Sequence, residues 1–483
     1  MPQCELTDLS ISEAGRALRD RTVSCREYVE ALIGQCETKR DLNAFVSHDF
    51  DALLDAADTV DACQSPGSSL SGIPLAIKDN ISTNTLSTSA ATSALQGFVA
   101  RRNAPVTQAL FDAGALLGAK ANMHELAFGI TNNNPVTGAC RNPYDLSMIP
   151  GGSSGGVAVA VAARMMPGGI GTDTGGSVRL PAALCGVVGF RPSVGRYPGS
   201  GIVPISRTRD TAGPIARTVA DVCLLDSVMA RVDPQEGLCG LDGIRLGVPR
   251  DPFYRNLEAD VAAEASRVLD QLAKAGAVLI EADIADLSER NEAVGFPIAL
   301  FEFAECLSEY LGECGTAITV LDVFEGIGSP DVKGIVGGQL GDDAISEATY
   351  RRALEVERPR LQELYASYFG RHDVEALVFP TSPVVARPIG DDVTIDLNGE
   401  RLPTFATYIR NTDPGSNAGL PGLSLPTGLT PAGLPVGMEI DAPVGADERL
   451  LAIAAAVESL VEFKAAPAPG PGWIDEQNRR MTQ

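Results

Sequence analysis

Residues 149–192 read IPGGSSGGVAVAVAARMMPGGIGTDTGGSVRLPAALCGVVGFRP. Two glycine-rich knots, Gly151 to Gly156 and Gly171 to Ser177, flank a short apolar Ala/Val pattern with the look of a helix. Glycines cluster where the backbone takes positive φ or comes close to another group. Serines in such turns can present hydroxyls and backbone N–H groups to one cleft. A flexible Gly/Ser linker has a similar composition. A linker, however, would not sit between two apolar runs in the interior of a long chain, nor hold Asp173, Arg179 and Pro181 close to its glycines.

The bulk numbers bound the rest. At about 150 residues per domain a chain of 483 could hold about three domains, although large α/β enzymes run longer as one unit. Hydrophobic residues make up 45% and charged residues 21%, an ordinary globular balance. The formal net charge of −24 argues against nucleic acid and anionic membrane surfaces as partners. The ten cysteines show no CxxC and no paired spacing, which suits free thiols in a reducing cytoplasm. The N-terminus carries no basic and apolar leader pattern, and no apolar run approaches the roughly 20 residues of a membrane span. Only His48, His124 and His372 are present, without HxH or HxxxH spacing, so a zinc hydrolase is not expected and no metal ligands are assigned.

Taken in order, the chain alternates helix and strand patterns. Ser10 with Glu13 and Ser24 with Glu27 fit capping boxes, and Tyr28, Ala31, Leu32 and Cys36 form an apolar stripe. Residues 1–65 therefore read as a helical segment packing on the outside of a sheet, with residues 64–72 as a loop. Ile73 to Ile77 has the length of a buried strand and ends on Lys78. Lysines at strand ends are mostly solvated. Thr107 to Ala113 reads as helix and Ala115 to Gly118 as strand. His124 precedes a polar loop and reads as a structural histidine rather than a catalytic one. Residues after Pro192 read as loop up to Pro214, then Thr218 to Ala230 as helix. Strand, helix and strand follow at Ile244 to Val248, Glu258 to Ala275 and Ala277 to Glu281. Ala299 to Leu311 reads as helix, and GIGSPDVKGIVGGQLGDD after it as a mobile loop. Residues 288–342 thus form a helical and loop insertion, either a lid or pocket wall, or a plain surface feature. Asp343 to Phe369 reads as one long charged helix, Ala376 to Phe379 as a strand, and Pro421 to Leu425 with Pro435 to Ile440 as a strand pair. Asp447 to Leu460 closes the chain as helix, and residues 465–483 read as a loose tail. The alternation implies an α/β fold, a large mixed β-sheet covered by helices.

Three chemistries compete for the serines. A Gly-x-Ser-x-Gly elbow can be written around Ser154, but it needs a preceding strand, and residues 142–150 are mostly polar with two prolines. A phosphate cradle before a helix is the second, but no Gly-Lys-Ser/Thr and no ribose-binding acid accompany it. The third is a serine nucleophile with a lysine base, for which Lys78 at the end of a buried strand is well placed. The lysine must then be neutral, its pKa brought from about 10.4 to about 7–8, which costs its ammonium form about 4 kcal/mol.

The stretch from Pro150 to Pro192, with Lys78 upstream, resembles the amidase signature family of Ser–cisSer–Lys hydrolases, and the likeness runs from GIPLAIKDN to GLPVGMEI. ANMHELAFGITNNN and VPISRTRDTAGPIART look most similar to its arylacetamide-hydrolysing members. The resemblance implies a single domain over residues 1–483, with helices on both faces of the sheet, and a catalytic set of Lys78, Ser153 and Ser177. In it Ser177 is the nucleophile, and Ser153, 24 residues earlier, is the cis-peptide serine. It implies an oxyanion hole from the backbone N–H groups of Thr174, Gly175, Gly176 and Ser177, with Ser154, Thr172 and Asp173 supporting the turn. It implies hydrolysis of small, aryl-bearing amides through an acyl-Ser177 intermediate, with no cofactor and a monomer or homodimer. Anilides and carbamates are alternative substrates of the same triad. A glutamyl-tRNA amidotransferase A-type subunit, working with partner subunits, is the alternative of another class. The pocket is expected from residues 128–134, 202–209 and 295–340.

Overall fold

The computed structural model describes residues 3–63, 68–233, 239–341 and 344–467. Thirteen strands can be followed among them: β1 (Phe45–Ser47), β2 (Pro74–Lys78), β3 (Leu116–Ala121), β4 (Gly168–Asp173), β5 (Val188–Arg191), β6 (Thr211–Ala216), β7 (Arg245–Gly247), β8 (Val278–Ile280), β9 (Ala376–Pro380), β10 (Thr394–Leu397), β11 (Glu400–Pro403), β12 (Gly422–Leu429) and β13 (Pro435–Asp441). Eleven form one mixed sheet in the order β1-β3-β2-β4-β6-β5-β12-β13-β9-β7-β8, and β10 with β11 make a separate hairpin. β2 runs parallel to both β3 and β4, whereas β4, β6, β5, β12, β13 and β9 alternate in direction.

The pleat of β2 explains how both faces are filled. Side chains alternate along a strand, and Leu75 and Ile77 enter one core with Ile170, Leu225 and Leu450, while Ala76 enters another with Val157, Val159 and Ile215. A strand buried on both faces reads as a continuous apolar run, as 73–77 does. The helix Gly155–Ala162 is buried along its whole length, so it shows no polar face, and its small Ala/Val side chains let it lie against β2 and β4. The two capping boxes are formed, Ser10 with Glu13 and Ser24 with Glu27, each reciprocal cap worth about 1 kcal/mol. Ile11, Tyr28 and Leu32 from these N-terminal helices join the core of Leu75 and Ile77.

Several expectations need correction. The second glycine knot begins as strand: β4 is the sequence GGIGTD, fully buried between β2 and β6. Its glycines answer to packing, since a Cβ on Gly169 would stand 2.4 Å from the Ala76 carbonyl oxygen, and one on Gly171 would stand 2.6 Å from Ser154 Oγ. Residues 192–214 are not all loop, because β6 opens at Thr211 and pairs with β4. The stretch read as a mobile loop from Gly326 onward contains a helix, and another helix precedes it. Pro330–Gly337 within it and Val320–Glu325 before it are both helical, and their Val323, Phe324, Val332 and Val336 pack against Phe128 and Phe303. The charged helix begins at Glu347 and is interrupted by a π turn at Ala353–Glu357 before Arg358–His372. Residues 64–67 of the first loop, Asp343 and residues 468–483 of the tail lie outside the described residues.

Candidate active site

β2 and β4 are parallel neighbours, and their last residues are Lys78 and Asp173. Ligand sites of α/β sheets lie beyond the carboxyl ends of such strands. Lys78 is fully buried. Its Nζ lies 2.7 Å from Ser153 Oγ and 2.8 Å from Thr172 Oγ1, with the Thr172 carbonyl at 3.4 Å. Burial pushes the Lys78 ammonium down to about 7, against the smaller opposing pull of Asp173 and Asp210. The strand-end lysine is therefore interior, not solvated, because the two glycine turns close over it.

Those turns are tied to each other. The Gly152–Ser153 bond is cis. The Ser154 N–H donates to the Ser177 carbonyl at 3.1 Å, one residue along from Ser153. Ser154 Oγ donates to the Thr172 carbonyl at 3.1 Å and accepts from the Thr172 N–H at 3.3 Å. Ser177 follows β4 just before the helix Arg179–Cys185 and, unlike Ser153, keeps part of its surface open.

Asp173 is the hub of the second turn. It accepts from the N–H groups of Gly176 (2.7 Å) and Val178 (3.1 Å) and from Arg179 Nε (3.1 Å) and Nη2 (3.0 Å). Burial alone would raise its pKa, but Arg179 and Arg191 hold the carboxyl well below the usual carboxylate range. Gly176 thus already has a partner for its N–H. Thr174 Oγ1 donates to Asp210 at 2.6 Å, and Asp210 also takes the N–H groups of Ile205 and Ser206, which docks the 202–209 loop on the turn.

A pocket opens onto this turn, with Thr174, Gly175 and Ser177 on its wall. Phe128, Ile130, Ile205, Phe296, Phe405 and Ile409 supply apolar lining. Three of the lining segments lie in the stretches named from the sequence. The fourth, around Phe405 to Asp413, does not: only tertiary folding brings it there, and no local pattern marks it. His124 is fully buried, and its backbone N–H donates to the Ser153 carbonyl at 3.2 Å. Its Nδ1 accepts from the Asn132 N–H at 3.1 Å and its Nε2 lies 3.1 Å from Asp331 Oδ2. A second fully buried lysine is Lys120, which no motif in the sequence marks. It donates to the Ile81 carbonyl and Thr88 Oγ1, both at 2.8 Å, and sits 3.7 Å from Asp79, one strand away from Lys78. Among the described residues no group of three or more His, Cys, Asp or Glu side chains could hold a metal ion.

Comparison with known proteins bears on this arrangement. A family profile described as Amidase matches residues 27–451. The chain is 50% identical over 455 residues to an indoleacetamide hydrolase of Rhizobium radiobacter, covering 94% of this chain and 97% of that protein. It is 40% identical over 474 residues to a mandelamide hydrolase of Pseudomonas putida, covering 94% and 92% respectively. Among solved structures it is similar to an amidase at TM-score 0.84 and 33% identity, over 93% of this chain and 99% of that one. A peptide amidase from Stenotrophomonas maltophilia matches at TM-score 0.82 and 27% identity, over 95% and 98%.

Proposed function

We propose a function for a chain that belongs to the amidase signature family: it hydrolyses the C–N bond of small aryl-bearing amides to a carboxylate and ammonia or amine. Its relatives named as indoleacetamide and mandelamide hydrolases support the aryl-bearing amide as substrate. So does a pocket walled by Phe128, Phe296 and Phe405.

One observation carries the catalytic assignment. A fully buried lysine, with its pKa brought down to about 7, lies 2.7 Å from the hydroxyl of Ser153. A serine hydroxyl becomes a nucleophile only beside a base. In the proposed sequence neutral Lys78 accepts the proton of Ser153 Oγ as Ser153 accepts that of Ser177 Oγ. Ser177 Oγ then attacks the amide carbonyl carbon. Negative charge collects on the carbonyl oxygen, which accepts from the backbone N–H groups of Thr174, Gly175 and Ser177. The Gly176 N–H can join them by sharing its bond to Asp173. Each such donor is worth about 2.7–4 kcal/mol in the transition state. The proton returns through Ser153 to the leaving nitrogen, and the C–N bond breaks. Water then attacks the acyl-Ser177 ester by the same relay, which regenerates Ser177 and releases the acid. Ser154, Thr172 and Asp173 hold the two turns and Lys78 in register.

The test is a hydrolysis panel of indoleacetamide, mandelamide and phenylacetamide against acetanilide and a phenyl carbamate. The highest kcat/KM is expected on the arylacetamides. Preferential cleavage of anilide or carbamate would overturn the substrate assignment. A requirement for partner subunits and charged tRNA would move the chain to the amidotransferase class.

A further inference from the structure

Two charged side chains line the pocket beside Ser177, Arg209 and Asp413, and they face each other. Arg209 Nη2 donates to Asp413 Oδ1 at 2.8 Å and to the Thr174 carbonyl at 3.2 Å, and Nη1 donates to the Gly295 carbonyl at 2.8 Å. The other carboxylate oxygen of Asp413 accepts from Asn291 Nδ2 and Asn417 Nδ2, each at 2.9 Å. Asp413 lies against the nucleophile turn, since a Cβ on Gly175 would stand 2.8 Å from its Oδ1. Both residues are buried. Every other residue lining the pocket is uncharged. Arg209 Nε, meanwhile, is buried without a hydrogen-bond partner.

We propose that Asp413 is a specificity-determining residue: by neutralising Arg209 inside the pocket it restricts the enzyme to uncharged amides. This rests on the amidase reading above and deepens it. A charged group on a substrate would leave water for an apolar pocket that offers no uncompensated partner. The cost of burying an unpaired charge is then a discrimination against that substrate. Removing one member of the pair leaves the other as a binding site for the opposite charge. Without the charge of Asp413 the guanidinium can take a carboxylate in a charge-assisted contact. Without Arg209 the carboxylate can take an ammonium.

The test uses three substrates that differ only in charge: phenylacetamide, its para-carboxylate and its para-aminomethyl analogue. The wild type is expected to turn over phenylacetamide with kcat/KM at least about 10-fold above either charged analogue. D413N keeps an oxygen for Arg209, and the amides of Asn291 and Asn417 can turn over to meet the new nitrogen. It is expected to raise the ratio of carboxylate to neutral substrate by about 10-fold or more. R209Q is expected to raise the ammonium ratio instead. A loss shared equally by all three substrates in both variants would make the pair a strut only and overturn the proposal. Equal wild-type efficiency on the neutral and charged analogues would overturn it without any variant. Failure of the aryl-amide reading itself looks different: the wild type would not prefer phenylacetamide to acetamide.

Discussion

Lys78 Nζ and Ser153 Oγ lie 2.7 Å apart although 75 residues separate them in sequence, and both side chains are fully buried. An amine in that position cannot keep its proton at its ordinary pKa, because burial disfavours the charged form. Activity should therefore follow the neutral lysine. With Lys78 titrating near 7, kcat/KM for an uncharged amide is expected to fall roughly tenfold per pH unit below that point and to level off above it. A flat profile between roughly pH 5 and 8 would remove Lys78 as the base.

Substitution separates the three hydroxyl and amine groups. Ser177→Ala is expected to abolish turnover and to give no acyl-enzyme by intact-mass spectrometry. Lys78→Ala and Ser153→Ala keep the nucleophile but lose its activation, so kcat should drop by about 10² to 10⁴-fold. A Lys78→Ala enzyme with full activity at neutral pH would contradict the relay.

Asp173 organises its turn through charge. Asp173→Asn removes the interior carboxylate that Arg179 and Arg191 share and leaves Arg179 with Glu439, a loss of about 3–5 kcal/mol of stability. Since the folded-state pKa of Asp173 is depressed, this contribution is full at neutral pH and begins to decline near the unfolded carboxylate value of about 3.9. It vanishes only as the pH falls through the depressed folded value. Urea denaturation of both proteins at neutral pH is the check, and equal midpoints with equal slopes would refute it.

Phe296 stands at the pocket, 45% exposed, with its ring centroid 5.8 Å from that of Phe405. An aryl substrate can stack where these rings meet. Phe296→Ala and Phe405→Ala are each expected to raise KM for phenylacetamide roughly 2- to 10-fold, one aromatic contact's worth, while leaving KM for acetamide unchanged. A parallel rise for both substrates would point to a general disturbance of the pocket.

The proposed base is an amine and the proposed electrophilic aid is backbone N–H, so the chemistry needs no Lewis acid. Prolonged dialysis against EDTA is expected to leave kcat unchanged. Activity lost in EDTA and restored by zinc would refute the mechanism.

What local sequence determined here is most of the set of elements, while the proposed reacting groups came from the family resemblance of its glycine knots. Period-2 and period-3.6 patterns, the Ser-x-x-Glu caps and the two glycine knots depend on neighbours a few residues apart. Helices and most strands were therefore legible, and Lys78 stood out at the end of an apolar run, whereas the roles proposed for Ser153 and Ser177 rest on the resemblance. Where packing overrode local preference the text misled. β4 is half glycine because Ala76 and Ser154 press against it, and residues 330–337 are helical because Val332 and Val336 have a core to enter. Only the tertiary structure decided that Lys78 is dry, that the 404–413 segment closes the pocket, and that Asp413 meets Arg209 across 204 residues of chain. Desolvation and charge pairing are properties of surroundings, and those surroundings are assembled from strands distant in sequence, which no window along the chain contains.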